Sequence, residues 1–224
     1  MKKTVEMFVA VLIVIFSLNP YSAHAVATEY KSEWSEAYVW SELSKYSPSD
    51  AITAGIMGYF FRESQMRSDA VAGWPSRNYA VGVTDICREF VEKIDAGLKD
   101  GSTKDEFIEK VHIYYGGFGL GQWSNEGYLE HFYDFVQENG SSIADAEVQC
   151  AFIFESMMLN ERLWTEIQEL DDPYRVGRRI GYLYDGTTQL GAETIASYAK
   201  MYYGRFHDTV SDLNLKCQIP VSKE

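Results

Sequence analysis

Residues 47–65, SPSDAITAGIMGYFFRESQ, decide how the rest of the chain is read. Ser47 can cap a helix, Pro48 suits a first helical position because it has no N–H to leave unpaired, and Asp50 can reach back as in a capping box. This predicts a helix from Pro48 to about Gln65. Ile52, Ile56, Tyr59 and Phe60 recur at three-to-four spacing, and three residues on from Phe60, or four from Tyr59, lies Glu63. Periodicity therefore puts a carboxyl on the apolar face. A carboxyl that loses hydration there is harder to ionise, its pKa rises, and it stays protonated near neutrality, as a general acid must. The competing reading is a frayed helix end with an ordinary solvated glutamate. Gly55 and Gly58 each cost about 1 kcal/mol inside a helix, so they imply close packing or close approach of a ligand.

Outward from this helix, further helical patterns run from Thr84 to about Ala96, Lys104 to Val111, Gly127 to Glu138, Ala144 to Asn160 and Ala192 to about Arg205. Tyr38, Trp40 and Leu43 suggest a short helix upstream. Strand candidates are few, with a small sheet expected around Val81 to Val83 and Tyr114 to Trp123. The fold class read from this pattern is α+β, predominantly helical, with a small β element.

The second chemical signal is the run Tyr114-Tyr115-Gly116-Gly117-Phe118-Gly119-Leu120-Gly121-Gln122-Trp123. Its glycines let backbone approach a ligand, Gln122 offers both a donor and an acceptor, and Phe118 or Trp123 can stack on a sugar ring. A phosphate loop would close with Lys-Ser/Thr, which is absent. The structural alternative is a bulged hairpin with aromatic core residues.

Phe61-Arg62-Glu63-Ser64 on a helix, followed by Gly119-Leu120-Gly121-Gln122, resembles the Glu-Ser and Gly-Leu-x-Gln pair of goose-type lysozymes and lytic transglycosylases. The chain is most similar to the phage tail lysozyme family. That likeness runs through Ala54 to Met66, Asp85 to Gly97, Phe107, Gly117 to Ser124, Ile143-Ala144-Asp145 with Gln149, Phe152 and Glu155, and Ala199-Lys200-Met201-Tyr202-Tyr203. The resemblance implies a lysozyme-like fold, Glu63 at the catalytic glutamate position, Gly119, Gln122 and Trp123 lining a glycan groove, and Ser64 steadying the site. Two departures bear on substrate contacts. The family's arginine after Gln-Trp is replaced by Asn125-Glu126-Gly127-Tyr128, and its Glu-Arg-Pro stretch by Tyr184-Asp185-Gly186.

The expected activity is that of a peptidoglycan-degrading glycosidase, either a muramidase or a lytic transglycosylase, cleaving the MurNAc-GlcNAc strand. The alternative is a glycan-binding module on the same fold that does not cleave. A hydrolase needs a second carboxylate facing the acid, whereas a transglycosylase can use one glutamate as acid and then base. Asp69 and Asp85 are the nearest in sequence, although each also reads as a loop or first-turn residue. Asp134, Glu155 and Asp185 read as solvated faces or caps. The histidines are scattered without ligand spacing and the cysteines fit no zinc motif, so neither metal nor cofactor is expected. Ser64 lacks the glycines of a nucleophile elbow.

Composition sets the frame. The 224 residues, 46% hydrophobic and 15% aromatic, suit one packed domain. The net charge of −13 excludes nucleic acid as an expected partner and gives no steering toward an anionic wall. Lys2 and Lys3, an apolar run from Phe8 to Leu18 and Ala23-His24-Ala25 predict a signal peptide over residues 1–25, cleaved before Val26, and hence secretion or wall association without membrane attachment. The run is short of the about 20 residues that a membrane span needs. Residues 26–46 are read as an N-terminal extension, 47–210 as the catalytic domain and 211–224 as a tail. Of Cys87, Cys150 and Cys217, one pair could bridge in an oxidising compartment; alternatively Cys87 and Cys150 are core residues.

Overall fold

The structure, a computed structural model, describes residues 36–71, 81–114 and 116–216. The expected signal peptide and Cys217 lie outside them. Among the described residues nine helices follow one another: α1 (Glu36–Ser44), α2 (Asp50–Ser64), α3 (Val81–Lys99), α4 (Lys104–Tyr114), α5 (Glu126–Asn139), α6 (Ala146–Met158), α7 (Glu161–Gln168), α8 (Pro173–Leu183) and α9 (Gln189–Lys216). Among the described residues the β element shrinks to two single-residue antiparallel pairings, Val71 with Phe118 and Phe118 with Trp123. Val81 to Val83, expected as a strand, instead open α3, where the hydrophobic period of the following residues carries the helix back over them.

α2 is the central helix. Its cap is Ser49, whose hydroxyl accepts from the Ile52 N–H, while Ser47 sits two residues earlier and donates to the Ser49 carbonyl at 2.7 Å. The sequence reading thus placed the cap two residues early. Every residue from Ala51 to Phe60 is buried, so α2 is enclosed on all sides and has no single apolar face. Glu63 emerges at its end because the helix leaves the core there.

α8 and α9 enclose α2, and small residues make the approach possible. A Cβ on Gly55 would lie 2.5 Å from Val176 Cγ1 in α8, and one on Gly58 would lie 2.5 Å from the Ile195 carbonyl and 2.7 Å from the Ala199 nitrogen in α9. Gly177 and Gly181 of α8 meet Ala196, Ala199 and Ala192 in the same way. The helical glycines therefore serve packing between helices. A second layer joins α5 and α6 through Phe132, Phe135 and Phe152, and α1 rests on α6 and α2 with Val39, Trp40 and Leu43 buried. Cys87 and Cys150 are unbridged core residues.

Candidate active site

Three pieces of chain converge at the end of α2: its last turn, the loop 116–124, and the turn that follows α8. The first is sharply terminated. Gln65 and Met66 both adopt left-handed backbone, at φ 54° and 67°, and the Gln65 N–H returns to the Phe61 carbonyl. Two consecutive left-handed residues without glycine are strained, and they turn the chain at once into the segment 67–71. Ser64, 3% exposed, donates to the Phe60 carbonyl at 3.0 Å and fixes the last turn from inside.

The loop 116–124 is clamped from beneath. Gly119, at φ 80°, donates from its N–H to the Ala70 carbonyl at 2.8 Å, and an added Cβ would stand 2.7 Å from Gln149 Oε1. That buried amide spans three segments: Oε1 accepts from the Leu120 N–H, and Nε2 donates to the Ser68 and Ile143 carbonyls. Gln122 also holds a left-handed φ of 47°, and its Nε2 donates to the Ala70 and Gly119 carbonyls. Tyr59 ties this loop to α2 by donating to the Gly121 carbonyl at 2.5 Å.

This arrangement corrects the expectation that Phe118 or Trp123 stacks on a sugar. They are 1% and 3% exposed, Phe118 against Phe90 and Trp123 among Phe60, Phe132 and Phe152. Trp123 Nε1 donates to the Tyr184 hydroxyl, which also shares a hydrogen bond with Ser156. Both rings are supports for the loop. The half-buried aromatic at the site is Tyr128, its ring centroid 5.2 Å from that of Tyr184.

Glu63 has a side chain only 20% exposed. Its neighbour Arg62 pairs with it, and the same Nη1 donates to Asp185 Oδ2 at 3.0 Å while Nη2 donates to Thr187 Oγ1 at 3.0 Å. Burial holds the Glu63 carboxyl above the usual glutamate range, the nearby Asp185 adds to that, and Arg62 opposes both. Burial likewise raises Asp185, against the pull of Arg62 and Thr187. Asp185 is thus the carboxylate that shares Arg62 with Glu63. It was read as a cap or solvated residue because it lies 122 positions away in sequence, at one of the two departures from the family pattern.

The nearer candidates fall elsewhere. Asp69 is fully buried in a two-pronged ion pair with Arg67 at 2.9 and 3.0 Å, which identifies it as structural, and the Asp85 side chain lies outside the described ones. Asp134 pairs with Lys104. Among the described residues no group of His, Cys, Asp and Glu could hold a metal ion, and no helix is long and apolar enough to cross a membrane. A cavity of about 500 Å³ lies along α7 and α8 and does not include Glu63 in its lining.

Compared with known families, the chain matches that of the phage tail lysozymes over residues 35–206. No curated protein and no solved structure matches it.

Proposed function

The chain belongs to the phage tail lysozyme family, whose lysozyme-like action is on peptidoglycan, and on that premise we propose that it is a secreted or wall-associated glycosidase with Glu63 as general acid. The observation that carries this reading is the state of Glu63: a mostly buried carboxyl, held toward its protonated form, at the end of the helix that Tyr59 ties to the glycine-rich loop. Protonated Glu63 donates its proton to the glycosidic oxygen as the bond from C1 of MurNAc to that oxygen breaks, and the GlcNAc hydroxyl leaves. The resulting carboxylate then accepts a proton from the group that attacks C1. Water as that group yields a reducing end, and the sugar's own C6 hydroxyl yields an anhydro end.

Gly119, Gln122 and the backbone of loop 116–124 form the sugar-facing part of this reading, with Ser64, Phe118 and Trp123 supporting it from the core. The test is mass spectrometry of soluble fragments from purified peptidoglycan, comparing the protein that begins at Val26 with Glu63→Gln. The substitution is expected to lower release by about 10²–10⁴. Reducing ends identify a muramidase and anhydro ends a lytic transglycosylase. Retention on insoluble wall with no fragments from either protein identifies a glycan-binding module instead.

A further inference from the structure

We propose that Asp185 is a positioning residue for the proton donor: it holds Arg62 on the turn after α8 and shares that guanidinium with Glu63, so that Arg62 does not serve Glu63 alone. The inference rests on Glu63 being the acid. Neighbouring residues on a helix do not face each other, so Arg62 is not placed beside Glu63 by helix geometry alone. It is anchored at its far end, where Asp185 and Thr187 accept from its two terminal nitrogens at 3.0 Å each. The start of α9 closes in behind it, since a Cβ on Gly191 would lie 3.1 Å from Arg62 Nη2.

Charge counting gives the consequence. One guanidinium faces two carboxylates that are 20% and 15% exposed, a setting in which water screens poorly. With both ionised the cluster carries a net negative charge, so one carboxylate is pressed to hold a proton. Arg62 donates to Asp185 and the Thr187 side chain also favours its ionised form, whereas among the described residues Glu63 is met by Arg62 alone. Burial pushes both carboxyls toward their protonated forms, and the charge of Asp185 adds to that push at Glu63.

The other titratable groups nearby are phenols: Tyr59 on α2, Tyr184 on the turn and Tyr128 on α5, all pushed upward by burial and therefore neutral. From α9, Tyr198 and Tyr202 face Phe61, and Glu193 is engaged by Arg178 of α8. On α1, Glu42 pairs with Lys45. Arg62 and Asp185 are thus the described charges that set the titration of Glu63.

The test is carbon-13 NMR titration of the Glu63 carboxyl in the wild type, Asp185→Asn and Arg62→Gln, with the pH profile of fragment release measured beside it. Asn keeps the shape and the acceptor. In Asp185→Asn the Glu63 midpoint is expected to move to lower pH, and in Arg62→Gln to higher pH. The alkaline limb of activity should move with it, at about tenfold in rate above the limb for each pH unit. A midpoint unmoved or raised in Asp185→Asn overturns the proposal. If that variant does not fold, a midpoint unmoved or lowered in Arg62→Gln does so. Midpoints that shift as expected in a protein that releases no fragments would leave the control of Glu63 by Arg62 and Asp185 standing and remove the glycosidase reading. Release that depends on Glu63 with unmoved midpoints would do the reverse.

Discussion

At Glu63 the desolvation that favours proton donation works against folding. In the unfolded chain the carboxyl titrates near the ordinary value of 4.5, and in the folded protein burial and Asp185 raise it. Between those two values the folded state holds a proton that the unfolded state has released, so stability falls as pH rises through that window. Below it both states are protonated and nothing is lost. Glu63→Gln should therefore have a higher urea midpoint than the wild type at pH 7.5, with the difference disappearing near pH 4. A wild type more stable at pH 7.5 would mean that the pairing with Arg62 outweighs burial. Sequence could point to Glu63, since one helix and its spacing suffice to reach it. Asp185, Thr187 and Gln149 act through contacts that span dozens of residues, and no local pattern encodes those. Trp123 was misjudged for the same reason: an aromatic beside glycines reads alike whether its ring faces a sugar or, as here, Phe132 and Phe152.

Among the elements, α2, α5 and α6 were legible because their apolar content and caps are strong. α7 and α8 were missed. α7 is short, and α8 carries Gly177 and Gly181, which read as turn residues until the helix facing them is known. Once α9 is in place these glycines are the means of close contact, and the same logic separates two substitutions of identical chemistry. Gly58→Ala puts a methyl group 2.5 Å from the Ile195 carbonyl and 2.7 Å from the Ala199 nitrogen, backbone atoms that cannot turn aside. It should cost about 1–3 kcal/mol or more, as overpacking does. Gly204→Ala, in the exposed part of α9 with nothing within 4 Å, should instead gain about 0.5–1 kcal/mol from helix propensity. Denaturant unfolding of both variants checks the pair. Equal effects would mean that α2 and α9 separate readily enough to admit a side chain.

For the whole molecule the governing quantity is charge. The chain carries 33 acidic and 20 basic residues, and several of its arginines are spent internally, Arg62 on Glu63 and Asp185, Arg67 on Asp69, Arg178 on Glu193 and Arg179 on Glu166. A wall rich in phosphate polymers is also anionic, so encounter is opposed by like charge over distances set by the Debye length, about 30 Å at 0.01 M salt and about 10 Å at 0.1 M. On the proposed function, recognition must then come from short-range contacts, which salt screens little. Fragment release from intact anionic wall should consequently rise as salt is increased from about 0.01 to 0.1 M. On wall stripped of its phosphate polymers the rise should be smaller, because the opposing field is weaker. The mature chain, which loses Lys2, Lys3 and Glu6 if the leader is cleaved before Val26, would be one unit more negative and repelled slightly more. Activity that falls with added salt on both substrates would show that local attraction to the wall dominates over the net charge.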